Sequence, residues 1–307
     1  MNGHHGASAI AACAVCLELA ASAGAAETAA FLKLAPGARP IGLGEAFTAV
    51  ADDLNAQSLN PAGLSQLVNR ELYLSHAELA AGTVFDGLSY GQPLSRDRGT
   101  LAAGVTRLSH GAIAGRDAQG RPSGDYTAAD MAVQLAYGAT LPGVGMLGVN
   151  AKYLESKLAY ASARGMAFDV GLLRRSRGPW AFGAAARNLG NGLRFADRTD
   201  ELPLTVAVGA TARLAGALMV SAELSHRARS GGVAAGVGSE YSLLPSLVVR
   251  GGYRSGLRET GPSASGFAAG GLGMGFGIRM RKATFDYSFT PQGSLGQSQR
   301  VSVSTRF

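Results

Sequence analysis

From residue 70 to the end of the chain, apolar and polar side chains alternate one by one. Over 282–290, Ala283, Phe285, Tyr287 and Phe289 fall on one side, and Lys282, Thr284, Asp286, Ser288 and Thr290 on the other. After a turn at 291–293 the pattern resumes, with Val301, Val303 and Phe307 (and Thr305) against Arg300, Ser302, Ser304 and Arg306. A period of two is that of a β-strand with one apolar and one polar face, because successive side chains leave the backbone on opposite sides. The same alternation predicts about fourteen strands, at 70–77, 82–92, 99–110, 126–141, 144–158, 165–175, 180–189, 202–214, 217–228, 232–243, 247–256, 267–279, 282–290 and 298–307. In the eighth, Leu202, Leu204, Val206, Val208, Ala210 and Leu214 oppose Thr205, Ala207, Gly209, Thr211 and Arg213. The twelfth puts Gly271, Gly273, Gly275 and Gly277 on its polar face, where bare backbone admits close approach by another segment.

These lengths lie near the roughly ten residues that a tilted strand needs to cross hydrocarbon, and fourteen is an even number, as bacterial single-chain barrels require. No stretch after the first 26 residues reaches the ~18 apolar residues of a membrane-spanning helix. Connector lengths sort by parity. Long connections at 111–125, 190–201, 257–266 and 291–297 follow odd strands; tight turns at 142–143, 215–216, 244–246 and 280–281 follow even ones. A barrel with long loops on one side of a membrane sorts its connections in this way. The expected fold is all-β: a transmembrane antiparallel barrel of about fourteen strands at 69–307, with lipid on the apolar face.

Composition agrees. Charged residues make up 16% of the chain, against about a quarter in soluble domains. The formal net charge is +7, but the basic residues are scattered, with only Arg174, Arg175 and Arg177 clustered. A nucleic-acid reader concentrates its cations on one patch, so no nucleic-acid partner is expected. Residues 7–26 form an Ala-rich run ending in Ala23-Gly24-Ala25, the small-x-small pattern of a signal-peptidase site; 1–25 reads as a signal peptide. Both cysteines, Cys13 and Cys16, fall inside it.

Residues 26–68 differ in character. They contain Pro36-Gly37-Ala38-Arg39, Gly42-x-Gly44-Glu45-Ala46-Phe47, Asp52-Asp53 and Asn60-Pro61-Ala62-Gly63-Leu64. The spacing of Phe47 and Val50 predicts a short helix over 44–53, and Pro61 suits the first turn of a second. The segment resembles the N-terminal region of PorV/PorQ-like outer-membrane proteins, a branch of the FadL-type barrel superfamily. Relatives commonly carry Trp where this chain has Leu59. The resemblance implies an N-terminal hatch folded into the barrel lumen, positioned by Gly42, Gly44, Phe47, Asp52, Asp53, Asn60, Pro61 and Gly63. It also implies location in the bacterial outer membrane and a non-enzymatic role, in transport or in type IX-like protein export with secretion-system components. Two alternatives stay open: passive uptake of a hydrophobic or carboxylate ligand, and a structural envelope barrel. The chain ends on Phe307, similar to the terminal strand that the barrel-assembly machinery recognises.

The chemistry of catalysis is thin. Three Leu-Ser-His triplets end at His76, His110 and His226, but adjacent Ser and His on a strand point to opposite faces. No hydrolase, zinc-protease or cysteine-ligand motif occurs, and neither cofactor nor metal is expected. Arg187, Arg213, Arg250, Arg254, Arg279, Lys282, Arg300 and Arg306, with Asp169, Glu223, Glu240 and Asp286, project inward in the expected register. Mutual pairing and attraction of an anionic ligand are the two readings of that set. Arginines 116, 121, 194, 198 and 258 lie in long loops, suited to lipopolysaccharide phosphates.

Overall fold

A computed structural model describes residues 28–95, 98–195, 198–214, 216–256, 271–291 and 296–307; the expected signal peptide and Arg258 lie outside them. Fourteen strands form a closed antiparallel barrel. They are β1 (Glu71–Glu78), β2 (Val84–Ser95), β3 (Gly99–Ser109), β6 (Ala128–Leu141), β7 (Gly145–Leu158), β8 (Ala161–Arg175) and β9 (Trp180–Leu189), then β12 (Thr205–Leu214), β13 (Leu218–Arg227), β14 (Val233–Leu244), β15 (Leu247–Gly256), β16 (Leu272–Arg279), β17 (Ala283–Pro291) and β18 (Gln297–Arg306). Each pairs with its predecessor around the ring, and β18 closes onto β1 with Leu74 opposite Val303. Two small hairpins rise from long connections: β4 (Ile113–Arg116) with β5 (Pro122–Tyr126), and β10 (Leu193–Phe195) with β11 (Arg198–Asp200). No described helix is long and apolar enough to cross a membrane.

Alternation located the strands because one face of each meets a different medium from the other. Along β1, side chains are buried at Glu71, Tyr73, Ser75 and Ala77 and exposed at Leu74, His76 and Glu78. The exposed set is the apolar one elsewhere: Leu135, Phe168, Phe182, Val237, Phe276 and Val303 all stand on the outside. So large a greasy exterior belongs against hydrocarbon, since soluble monomers rarely show contiguous apolar patches above a few hundred Å². Residues 202–204 depart from the expected eighth strand. Pro203 has no N–H for the ladder, the Leu204 amide turns back to Leu202 O at 2.8 Å, and Leu202 is buried under the loops. The fifth connection, at 159–160, is also short, so the parity of loop lengths holds at the long loops already named but not at every odd connection.

Residues 28–70 run through the inside of the ring from one end to the other. The Thr28 amide donates to Glu201 O (2.9 Å) at the long-loop end, and Arg70 O accepts from the Phe307 amide (3.1 Å) at the short-turn end. Between them, side chains replacing wall glycines would strike this segment on every side. A Cβ at Gly148 meets Pro61 and Ala62, at Gly183 it meets Thr48, at Gly238 Leu43, and at Gly273 Ile41. On the glycine row of β16, Gly273 and Gly275 lie against the backbone of Ile41 and Gly42, whereas Gly277 faces the side chains of Asp286 and Arg250. The expected helix over 44–53 does not form. Gly44 and Glu45 have φ of 58° and 60° and Ala51 of 26°, and Glu223 captures the amides of Phe47 and Thr48. Helical turns lie instead at Ala38–Gly42 and Ala56–Leu59, with a 3-10 helix at Pro61–Gln66. Asn60 caps that last turn, its side-chain oxygen accepting from the Ala62 amide at 3.2 Å.

Candidate functional site

The interior has two halves of different chemistry. At the short-turn half, Arg39 projects from the first helical turn into carboxylates. Its Nη1 donates to Asp52 Oδ1 (2.5 Å) and Asp53 Oδ2 (2.9 Å), and its Nε to Glu240 Oε2 (2.8 Å). Glu240 also accepts from Arg250 Nε (2.8 Å) and Arg279 (3.2 Å), Arg250 from its other side reaches Asp286 (2.6 Å), and Arg213 reaches Asp52 (2.7 Å). The Arg39 guanidinium also lies 5.6 Å from the centre of the Phe47 ring. Burial works against the charge on Arg39, yet the carboxylates of Asp52, Glu240 and Asp53 hold it well above its ordinary value. Burial likewise opposes charge on Asp52, but Arg39 overcomes it and the carboxyl sits below the usual range. At Asp53 burial wins over Arg39, with the Asp52 charge adding to it, and the carboxyl is pushed up.

The middle of the segment is held by polar wall side chains. Glu223 accepts from the amides of Phe47 (3.1 Å) and Thr48 (2.9 Å) and lies 3.9 Å from Arg187. Asn60 donates to Thr48 O (2.7 Å) within the segment and to Leu172 O (3.1 Å) on the wall. Asn150 donates to Gln57 O at 2.9 Å. Gly44 lies against the Tyr253 backbone and Gly63 against Ala51, neither with room for a Cβ, and Gly42 is set tightly against Arg250 and Gly275. Arg300 donates to Ala35 O.

Towards the long loops the interior turns apolar. Phe31, Phe85, Leu108, Leu154, Leu193 and Leu202 pack together, with Leu32 and Leu34 beside them. Lys152 is buried there, paired with Asp169 at 2.8 Å. Each half contains a cavity. The one at the long-loop half, between Phe31, Leu34, Leu59 and Phe85 and rimmed by Lys152, Arg187 and Arg254, is about 40 Å³. The one at the short-turn half is about 350 Å³ and lined by Arg39, Asp52, Glu240, Arg279 and Arg306.

Of the inward charges expected from register, Arg187, Arg213, Arg250, Arg279, Arg300, Glu223, Glu240 and Asp286 all meet partners inside the barrel or at its mouth. Lys282 does not. It lies in the exposed turn between β16 and β17, one residue before the strand begins, so the alternation does not govern its direction. Arg39 and Lys152 were not among the expected site residues. A lone arginine between Ala38 and Pro40, in a segment that must be buried, was the available signal for the first; for the second it was alternation with Asn150 and Leu154. Phe307 is exposed and stacks on Tyr90, ring centres 6.4 Å apart. Ser75 points inward and His76 outward, where its Nδ1 lies 2.7 Å from Asp86. Arg116 donates to Gly120 O and Arg121 pairs with Asp117, both on the β4–β5 hairpin. No group of three or more His, Cys, Asp or Glu among the described residues is arranged to hold a metal.

No protein-family description and no curated sequence matches this chain. Solved structures do. The toluene transporter TbuX of Ralstonia pickettii superposes with a TM-score of 0.65 at 14% identity, over 88% of this chain and 98% of that one. The Pseudomonas putida toluene transporter TodX gives 0.63 at 12%, covering 87% and 96%. A Pseudomonas aeruginosa FadL homologue gives 0.63 at 10%, covering 92% and 100%. At these identities the likeness speaks of architecture: the chain shares the closed barrel fold of these structures, in fourteen strands.

Proposed function

We propose that this chain is an outer-membrane channel of FadL type for small hydrophobic molecules, with residues 28–67 acting as the hatch that keeps its lumen closed to water-soluble solutes. The observation that carries this reading is the greasy-walled barrel whose interior is filled by its own N-terminal segment, with a separate cavity towards each end. The likeness to two toluene transporters supports the solute class. An apolar solute entering at the long loops would meet Phe31, Leu34, Leu59 and Phe85 first. The cavity there is about 40 Å³, close to the share of a single water in the liquid, so passage requires the hatch or its neighbours to shift. The role is one of passage, with no bond made or broken.

Uptake of a monoaromatic hydrocarbon by cells with a lipopolysaccharide outer membrane, with and without this chain, tests the reading. The full chain should speed hydrocarbon entry and leave entry of sugars unchanged, and deletion of 28–67 should admit sugars as well. Hydrocarbon entry no faster than in cells lacking the chain would overturn it. A second reading, service to type IX-like export, rests on the motifs from Pro36 to Leu64 that resemble PorV/PorQ-like proteins. Recovery of secretion components in a native pull-down would favour it. Recognition of Phe307 by the assembly machinery belongs to either reading.

A further inference from the structure

The two rims of the barrel carry charge differently. At the long-loop end, acids and bases are mixed, and several of them pair. His76 meets Asp86 at 2.7 Å, Glu155 meets Arg164 at 3.3 Å and Lys157 at 3.5 Å, and Arg229 meets Glu201 at 2.7 Å. At the short-turn end, exposed charges among the described residues are all positive, among them Arg70, Arg98, Arg174, Arg177, Arg281 and Lys282. The described acids of that half, Asp52, Asp53, Glu71, Glu240 and Asp286, lie inside and are engaged by interior arginines and by Arg306. Arg70, Arg174, Arg177, Arg281 and Lys282 make no ion pair with any described residue. They directly border greasy positions on the outside, with Leu172 before Arg174, Met280 before Arg281, and Leu141, Leu214 and Leu244 exposed on neighbouring strands.

Cations that border the hydrocarbon belt stand at headgroup height, where an anionic lipid surface attracts each of them. We infer that this rim binds anionic phospholipid headgroups, of the phosphatidylglycerol class, in the leaflet on the short-turn side. The inference rests on the membrane reading above and adds a partner to it. Charge complementarity sets the choice. A phosphodiester offers unpaired negative charge to five unpaired cations, whereas the long-loop rim mixes both signs, with Glu78 and Asp125 exposed as well as Arg107 and Arg116, and offers no comparable surplus. The described acids of this half point inward to hold Arg39, Arg250 and Arg306, which leaves the described rim its positive sign.

The test reconstitutes the full chain into vesicles of phosphatidylcholine with and without phosphatidylglycerol, extracts it in mild detergent, and measures the lipid it retains. Expected is phosphatidylglycerol retained about fivefold above its share of the vesicle, falling as salt is raised because exposed charges are screened. Combined Arg174→Gln, Arg177→Gln, Arg281→Gln and Lys282→Gln should bring retention back to the vesicle share. Heat-dependent mobility on gels verifies that the variant barrel is folded. Should that variant not fold, Arg177→Gln with Lys282→Gln, both in turns, should give an intermediate value. Retention at the vesicle share in the unaltered chain, retention indifferent to salt, or retention unchanged in a folded variant overturns the inference. A chain that enters neither kind of vesicle overturns the membrane reading itself.

Discussion

The two halves of the lumen hold the same segment by opposite means. In the short-turn half, the grip is a lattice of buried charge centred on Arg39, with Asp52, Asp53 and Glu240 as its direct partners. In the long-loop half, it is the packing of Phe31, Phe85, Leu193 and Leu202. Apolar contact is non-directional and tolerates sliding. Paired buried charge does not, because a misplaced partner leaves an uncompensated ion in a dry site. The charged half therefore fixes the position of residues 36–53, while the apolar half holds 29–34 in a way that adjusts to small displacements. An adjustable contact on the side where the proposed solute would enter, and a fixed one on the other, suits a hatch of the proposed kind.

Replacing Arg39 by Ala should break this contrast most. It leaves three carboxylates facing one another, at a cost of about 3–5 kcal/mol. Hydrogen exchange should speed across 36–67 while the strands of the wall stay protected; equal protection in both proteins would show that the lattice is not what holds the segment. Phe31→Ala should cost about 3 kcal/mol through the cavity it leaves, and its exchange should quicken near 29–34 only. Faster exchange spreading to 36–53 would mean that the two halves act as one unit.

The two aspartates give the smallest and most diagnostic effect. Asp52 titrates below its ordinary range when folded, so the stability it contributes is present above the unfolded value of about 3.9 and is lost as pH falls through its depressed folded value. Asp53 is raised, so its folded form takes up a proton more readily than the unfolded chain and its contribution runs the other way, improving as pH falls. Asp52→Asn should thus weaken the segment at neutral pH by about 1–2 kcal/mol and flatten its acid loss, whereas Asp53→Asn should be nearly neutral. Unfolding midpoints in denaturant at neutral and acid pH separate the two. Similar losses for both variants would contradict the assignment of opposite shifts.

Much of the wall was legible because its two faces meet different media. β9 and β15 begin and end where the alternation of 180–189 and 247–256 does, and the inward set of charges followed from the same register. The segment inside was harder. Phe47 and Val50 sit at helical spacing, yet the helix expected there is absent, because Glu223, far away in the chain, takes the amides that such a helix would have used. Lys282 failed for a smaller reason, lying just outside the strand whose period was applied to it. The hairpin at 113–126 went unseen because it stands clear of the wall, with no difference of medium to impose a period, and that at 193–200 because its strands are only three residues long, too short to show one, although Leu193 is buried.

The sequence by itself determined that this chain makes strands of membrane-crossing length, how many they are, and which face of each is greasy, since those properties are local and repeat every second residue. Resemblance of its motifs implied that residues 26–68 enter the ring; tertiary structure alone decided the path they take through it, that Arg39 finds Asp52, Asp53 and Glu240, and that the interior divides into a charged and an apolar half. Pairings between Arg39 and Glu240, some two hundred positions apart, exist only once the sheet has closed and its interior has become dry enough for each buried charge to require a partner.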